Sequence, residues 1–183
     1  MSNLLETDVV LSDLGTRVFA VSANMDFDTE PKAVTDAVEL YDVLSIDNLG
    51  YDRNSEEYRP LANGGFPKKA VLGYNQEDLQ IELVRSEQGA YNEQSTYWFL
   101  NNKLEQYKVS KAFFGIIVVR PVYSISEDEA YEARYYTVFC SGIEDSANSE
   151  SGREYTATLS RSGPPIDLLV TVEGDTFKYA RKA

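Results

Sequence analysis

Two short stretches limit the possible folds more than anything else in this chain. Residues 77–83 read EDLQIEL and residues 153–160 read REYTATLS. In the first, Leu79, Ile81 and Leu83 alternate with Asp78, Gln80 and Glu82. In the second, Tyr155, Ala157 and Leu159 alternate with Glu154, Thr156, Thr158 and Ser160. A period of two places successive side chains on opposite faces of a strand, so each stretch predicts a strand with one apolar and one polar face. The polar faces look either at outer solvent or at the inside of something wet and acidic. The sequence leaves both destinations open for either strand.

Further strands follow from the same reasoning. TRVFAVS (16–22) is a first candidate, and VELYDVLSI (38–46) a second, with Val38, Leu40, Leu44 and Ile46 in phase. AFFGIIVV (112–119) is apolar throughout, too short to span a membrane and rich in β-branched residues, so it predicts a strand covered on both faces. Residues 131–140, 153–160 and 166–172 continue the series, and in the last of these Ile166, Leu168, Val170 and Val172 share a face. One segment has a helical period: NEQSTYWFLNNKLEQY (92–107), with Asn92 as its cap and Tyr97, Leu100, Leu104 and Tyr107 as an apolar stripe suited to packing on a sheet. The expected fold is mainly β, an antiparallel β-sandwich or barrel with about eight strands, one flanking α-helix and long loops. Residues 1–15 read as an N-terminal arm and 16–183 as a single domain.

The loops are informative. Residues 47–69, DNLGYDRNSEEYRPLANGGFPKK, hold three glycines, two prolines and many charges, and neither period survives there. A loop this long inside a small domain usually serves a function, often by ordering on a partner. Residues 141–152 read as a second polar loop.

Composition excludes several activities. The chain has no histidine and one cysteine, Cys140. This removes the commonest general base, the Ser-His and Cys-His nucleophile pairs, any internal disulfide and any cysteine-rich zinc site. Cys140 lies in the apolar run YYTVFC, which predicts a buried, inert thiol. Asp26, Asp28 and Glu30 alternate like calcium ligands but lack the glycine and distal glutamate of an EF-hand loop. NGG at 63–65 lacks the lysine and helix of a phosphate loop. No catalytic, cofactor or metal site is expected. A net charge of -13 argues against binding nucleic acid through phosphate neutralisation. MSNLLETDVV has neither a basic start nor a long apolar core, so a soluble cytoplasmic product with no membrane association is expected.

The assembled layout resembles the major tail tube proteins of long-tailed, siphovirus-type bacteriophages over roughly residues 55–180. The resemblance lies in EYRPLANGG followed by KKAVLGYNQEDLQIELVRSEQGAYNEQSTYWFL, then FFGIIVV, then the closing block YTATLSRSGPP and LLVTVEGD. It implies a structural virion protein, not an enzyme, with a β-sandwich shared with contractile-tail tubes and the ring proteins of type VI secretion. Such subunits form rings, usually of six, that stack into a tube through which DNA is ejected. The implied partners are further copies of the chain, tape measure, terminator and tail-tip proteins, and DNA that transits without specific binding. The implied location is the virion tail, after assembly from the host cytoplasm. On this reading Asp78, Gln80, Glu82, Glu154, Thr156, Thr158 and Ser160 are candidate lumen-facing residues. Tyr51 and Tyr58 in the 47–69 segment, and Leu4 and Leu5 in the arm, are candidate intersubunit anchors. The competing readings are another tail-ring component, such as a tail terminator or distal tail protein, and a lipocalin-type ligand-binding β-barrel.

Overall fold

A computed structural model describes residues 15–41, 43–50, 52–58, 68–75, 77–84, 95–121, 131–148 and 152–182. In chain order these residues form β1 (Arg17–Ser22), β2 (Lys32–Ala33), β3 (Val38–Glu39), β4 (Val43–Asp47), β5 (Asp52–Tyr58), β6 (Lys68–Asn75) and β7 (Leu79–Val84). Helix α1 (Thr96–Ser110) follows, then β8 (Phe114–Pro121), β9 (Tyr131–Asn148), β10 (Gly152–Arg161), β11 (Ile166–Glu173) and β12 (Thr176–Arg181). The architecture is mainly antiparallel β with one helix, as the alternation predicts.

The chain divides into two units. One takes the described residues up to Leu40, Phe114–Tyr135 and those from Pro165 onward; the other takes Tyr41–Phe113 and Tyr136–Pro164. Strand β9 gives its first five residues to the former and the rest to the latter.

In the first unit, β1 pairs antiparallel with β8 from Arg17↔Val119 to Ser22↔Phe114, and with β3 at Phe19↔Glu39 and Ala20↔Val38. Strand β11 pairs with β9 and β12, and β12 pairs with β2. The unbroken apolar run of β8 is buried on both faces, as expected. Phe19, Val21, Ile117 and Val119 meet Leu168, Val170, Tyr135, Tyr179 and Phe27 in one core. Gly115 lies opposite Val21 because only a residue without a side chain leaves room for the Tyr135 ring there. The Tyr135 hydroxyl then donates to the Ser22 carbonyl at 3.3 Å, and its ring meets Phe27 edge-on at 5.2 Å. Arg17 forks Glu39 with two 2.6 Å hydrogen bonds while lying over the Phe19 and Phe177 rings.

In the second unit the strand order is β9–β10–β7–β4. Leu79, Ile81, Leu83, Tyr155, Ala157 and Leu159 are all buried. Helix α1 brings its stripe against this sheet: Leu100 is fully buried, Tyr97 stands 4.4 Å from the Tyr155 ring, and Tyr107 stacks on Phe139 at 3.9 Å.

Four sequence expectations change. The helix is capped by Ser95, whose hydroxyl accepts from the Trp98 amide at 3.2 Å, and it runs on to Ser110. Asn92 lies outside the described residues. The single strand expected over 38–46 is two strands, β3 and β4, one in each unit. Tyr41 between them is 77% exposed, and Val38 and Leu44 are exposed rather than in phase with buried Leu40. The 47–69 loop contains β5, which pairs with β6 from Asp52↔Asn75 to Tyr58↔Lys68. Its sequence, DRNSEEY, carries no apolar period, so a reading that rests on alternation passes over it. The 141–152 loop is mostly strand. A bulge sets Thr158 opposite Gly142 and Leu159 opposite Cys140, leaving Ser141 extra. The bulge shifts the phase of alternation, which hides the continuation of β9 from any period-two reading.

Candidate functional site

The alternating polar residues of the two stretches, Asp78, Gln80 and Glu82 in the first and Glu154, Thr156, Thr158 and Ser160 in the second, come from neighbouring strands and lie on one face. Thr156 pairs with Glu82, and Thr158 with Gln80. The same rows extend to strands that the periodicity did not single out. Beyond Thr156 lies Glu144 of β9, and beyond Glu82 lies Ser45 of β4. Beyond Gln80 lies Asp47. Asp78, Gln80, Glu82, Asp47 and Glu144 are exposed; Ser45, Glu154, Thr156, Thr158 and Ser160 are half-buried. The two strands thus need no choice between them, since both present their polar side chains to the same space.

The pattern of this face has a physical logic. Strands lie about 4.8 Å apart, so the row Glu144–Thr156–Glu82–Ser45 keeps its two carboxylates two strand spacings apart, roughly 10 Å. At that distance across water, salt screens most of the repulsion. Hydroxyls stand between the acids and bond to them: Ser45 donates to Glu82 at 3.1 Å and Ser160 to Asp78 at 2.8 Å. Five carboxylates therefore share one sheet face with serines, threonines and a glutamine, and none of the residues named on it is a lysine or arginine. Such a cluster of carboxylates repels phosphate.

Ser45, Asp47 and Glu144 were missed in sequence. The signal for Glu144 was its place beside Asp145 in an acidic cluster, obscured by the bulge. Ser45 and Asp47 alternate with Ile46, but the break at Tyr41 hid the phase.

The remaining candidates fall elsewhere. Tyr58 is the last residue of β5, its backbone opposite Lys68. Tyr51, Leu4 and Leu5 lie outside the described residues. Asp28 forms an ion pair with Lys32, and among the described residues no cluster of acids, histidines and cysteines is arranged to hold a metal. Cys140 is fully buried, and burial pushes its thiol up to about 11. A maleimide at pH 8 should leave the folded protein unmodified and label it fully in denaturant, as mass spectrometry would read directly.

No family model matches this chain, and no curated protein sequence matches it. Solved structures do. A chain of the anti-feeding prophage (AFP) baseplate, determined by cryo-EM with 6-fold symmetrisation, superposes with a TM-score of 0.50 at 8% identity, covering 84% of this chain and 91% of that one. A chain of the SPP1 tail tube gives 0.46 at 13% identity, covering 83% and 75%. Hcp1 from Salmonella typhimurium gives 0.39 at 14% identity, covering 89% and 91%. The AFP baseplate chain and this protein share a fold.

Proposed function

We propose that this protein is a structural subunit that assembles with its own copies into rings, six to a ring, and that stacked rings build a phage tail tube. The observation that carries the reading is the acidic, hydroxyl-lined face shared by β9, β10, β7 and β4. Turned inward, it forms the wall of a water-filled channel that DNA passes without adhering. The opposite face supports the same arrangement, because α1 packs on it through the Tyr97–Tyr155 ring contact. The fold shared with a chain of a 6-fold symmetrised baseplate agrees with a ring.

Ring formation needs a contact between unlike surfaces of successive subunits. Strand β4 ends the strand order, with β7 as its partner among the described residues. Edge strands are ready templates for a second chain. Here the edge comes with Leu44, 59% exposed, and Tyr41. The 47–69 segment, which holds β5 of the β5–β6 hairpin and carries Tyr51 and Tyr58, and the N-terminal arm with Leu4 and Leu5 supply the remaining contacts between subunits. Tape measure, terminator and tail-tip proteins are then the other partners, and the virion tail is the destination after synthesis in the host cytoplasm.

Sedimentation across a concentration series tests the reading. The native chain is expected to form species of many times 20.6 kDa. Leu44→Asp, which buries a charge in the contact, is expected to raise the assembly concentration about 30-fold or more. A native chain that stays at one subunit at every concentration would overturn the proposal, and one that stops at a single ring would favour a terminator.

A further inference from the structure

Three successive residues between β4 and β5 are each tied to the four-strand sheet by a bond between a side chain and a backbone carbonyl. The Asn48 side-chain amide donates to the Asp78 carbonyl at 3.0 Å. Asn48 has φ 64, a left-handed conformation that asparagine tolerates better than most residues, and it turns the chain. The Leu49 carbonyl accepts from the Tyr136 hydroxyl at 2.9 Å. The Gly50 carbonyl accepts from Arg161 Nη1 at 2.8 Å. The last two donors brace each other, since the Arg161 guanidinium carbon lies 5.3 Å from the centroid of the Tyr136 ring. Tyr136 is itself 2% exposed, so its ring is immobile and its hydroxyl is aimed.

The placement is what matters. The β5–β6 hairpin starts two residues after Gly50 and forms its own two-stranded sheet, apart from the ladder of β9, β10, β7 and β4. A hairpin outside the main ladder takes its direction from its root. That root is held by Asn48, on the hairpin's own strand connection, and by Tyr136 and Arg161, which come from β9 and β10. We infer that Tyr136, Arg161 and Asn48 are positioning residues that set the direction in which the β5–β6 hairpin leaves the subunit. The inference deepens the proposed assembly role and rests on it only for the consequence, since the pinning itself is a property of the single subunit.

The experiment separates the two. Nitroxide labels at Ser55→Cys in β5 and Asn102→Cys on the exposed side of α1 report the distance between hairpin and helix; buried Cys140 does not compete for label. Tyr136→Phe and Arg161→Met remove the donors while keeping ring and bulk. Asn48→Gly keeps the left-handed turn and loses only the amide, and it serves if either of the others fails to fold. Each lost hydrogen bond is expected to broaden the distance distribution by about twofold, the loosening of a locally held segment. Assembly measured in parallel is expected to weaken roughly tenfold, because an unpinned arm must be ordered on binding. A distribution as narrow in the variants as in the native chain overturns the inference. A broadened distribution with undiminished assembly leaves the pinning standing and refutes the assembly role of the hairpin.

Discussion

Gly115→Ala lowers the stability of the folded subunit by about 3 kcal/mol, the upper range for forcing a methyl group into a filled site. The new Cβ would meet the Tyr135 ring, Val21 Cγ2 at 2.7 Å and the Ser22 carbonyl oxygen at 2.8 Å. A side chain at the end of a flexible stem yields to such a contact; a ladder oxygen does not. Ser22 is held by its antiparallel pairing with Phe114, and Tyr135 is held by its hydroxyl bond to Ser22 and by Phe27. Relief requires β1 and β8 to separate near the Ser22–Phe114 end of their pairing, which opens the core beside Val21 and Ile117. Gly142 is the internal control, because nothing stands within 4 Å of a Cβ built there. Gly142→Ala should fall within about 0.5 kcal/mol of the native chain. Urea denaturation of both variants reads the difference, and equal midpoints would show that Tyr135 is not packed on Gly115.

Reversing the acidic face has the second large effect. The variant Asp47→Lys, Glu82→Lys, Glu144→Lys changes three exposed side chains and no buried contact, so the subunit folds. Its assemblies are expected to hold duplex DNA at least 100-fold more tightly than native ones at low salt. That affinity should fall steeply with added salt, with a log–log slope of about -0.9 for each phosphate neutralised. Co-sedimentation of labelled duplex across a salt series measures both quantities. Equal, weak retention by the two proteins would mean that this face does not meet DNA.

The parts of the fold that were legible in sequence are those where burial writes a period. Leu79, Ile81 and Leu83 against Asp78, Gln80 and Glu82 required a two-faced strand, and AFFGIIVV required a strand covered twice. The α1 stripe was legible for the same reason. Three features were not. The bulge at Ser141 reverses the phase of β9, so a strand continuing to Asn148 looked like a loop. The chain breaks between β3 and β4 at exposed Tyr41, and an apolar pattern does not show where one strand ends and the next begins. Strand β5, DRNSEEY, has no apolar alternation for a period-two reading to find. The polar face was half legible: its residues on β7 and β10 could be named from alternation, but that the two strands are neighbours is a long-range fact of register. For the same reason Ser45, Asp47 and Glu144 joined the face only once the register of β4 and β9 was known.

On the proposed function, copies of this chain enclose a channel with the β7 and β10 polar faces as its wall. Cryo-EM of the concentrated native protein tests it most directly. The expected result is hollow rings or tubes in which Glu82, Gln80, Thr156 and Thr158 line a lumen wide enough for duplex DNA, with α1 on the outside. Assemblies that turn this face outward, or a protein that remains a single subunit throughout, would contradict it.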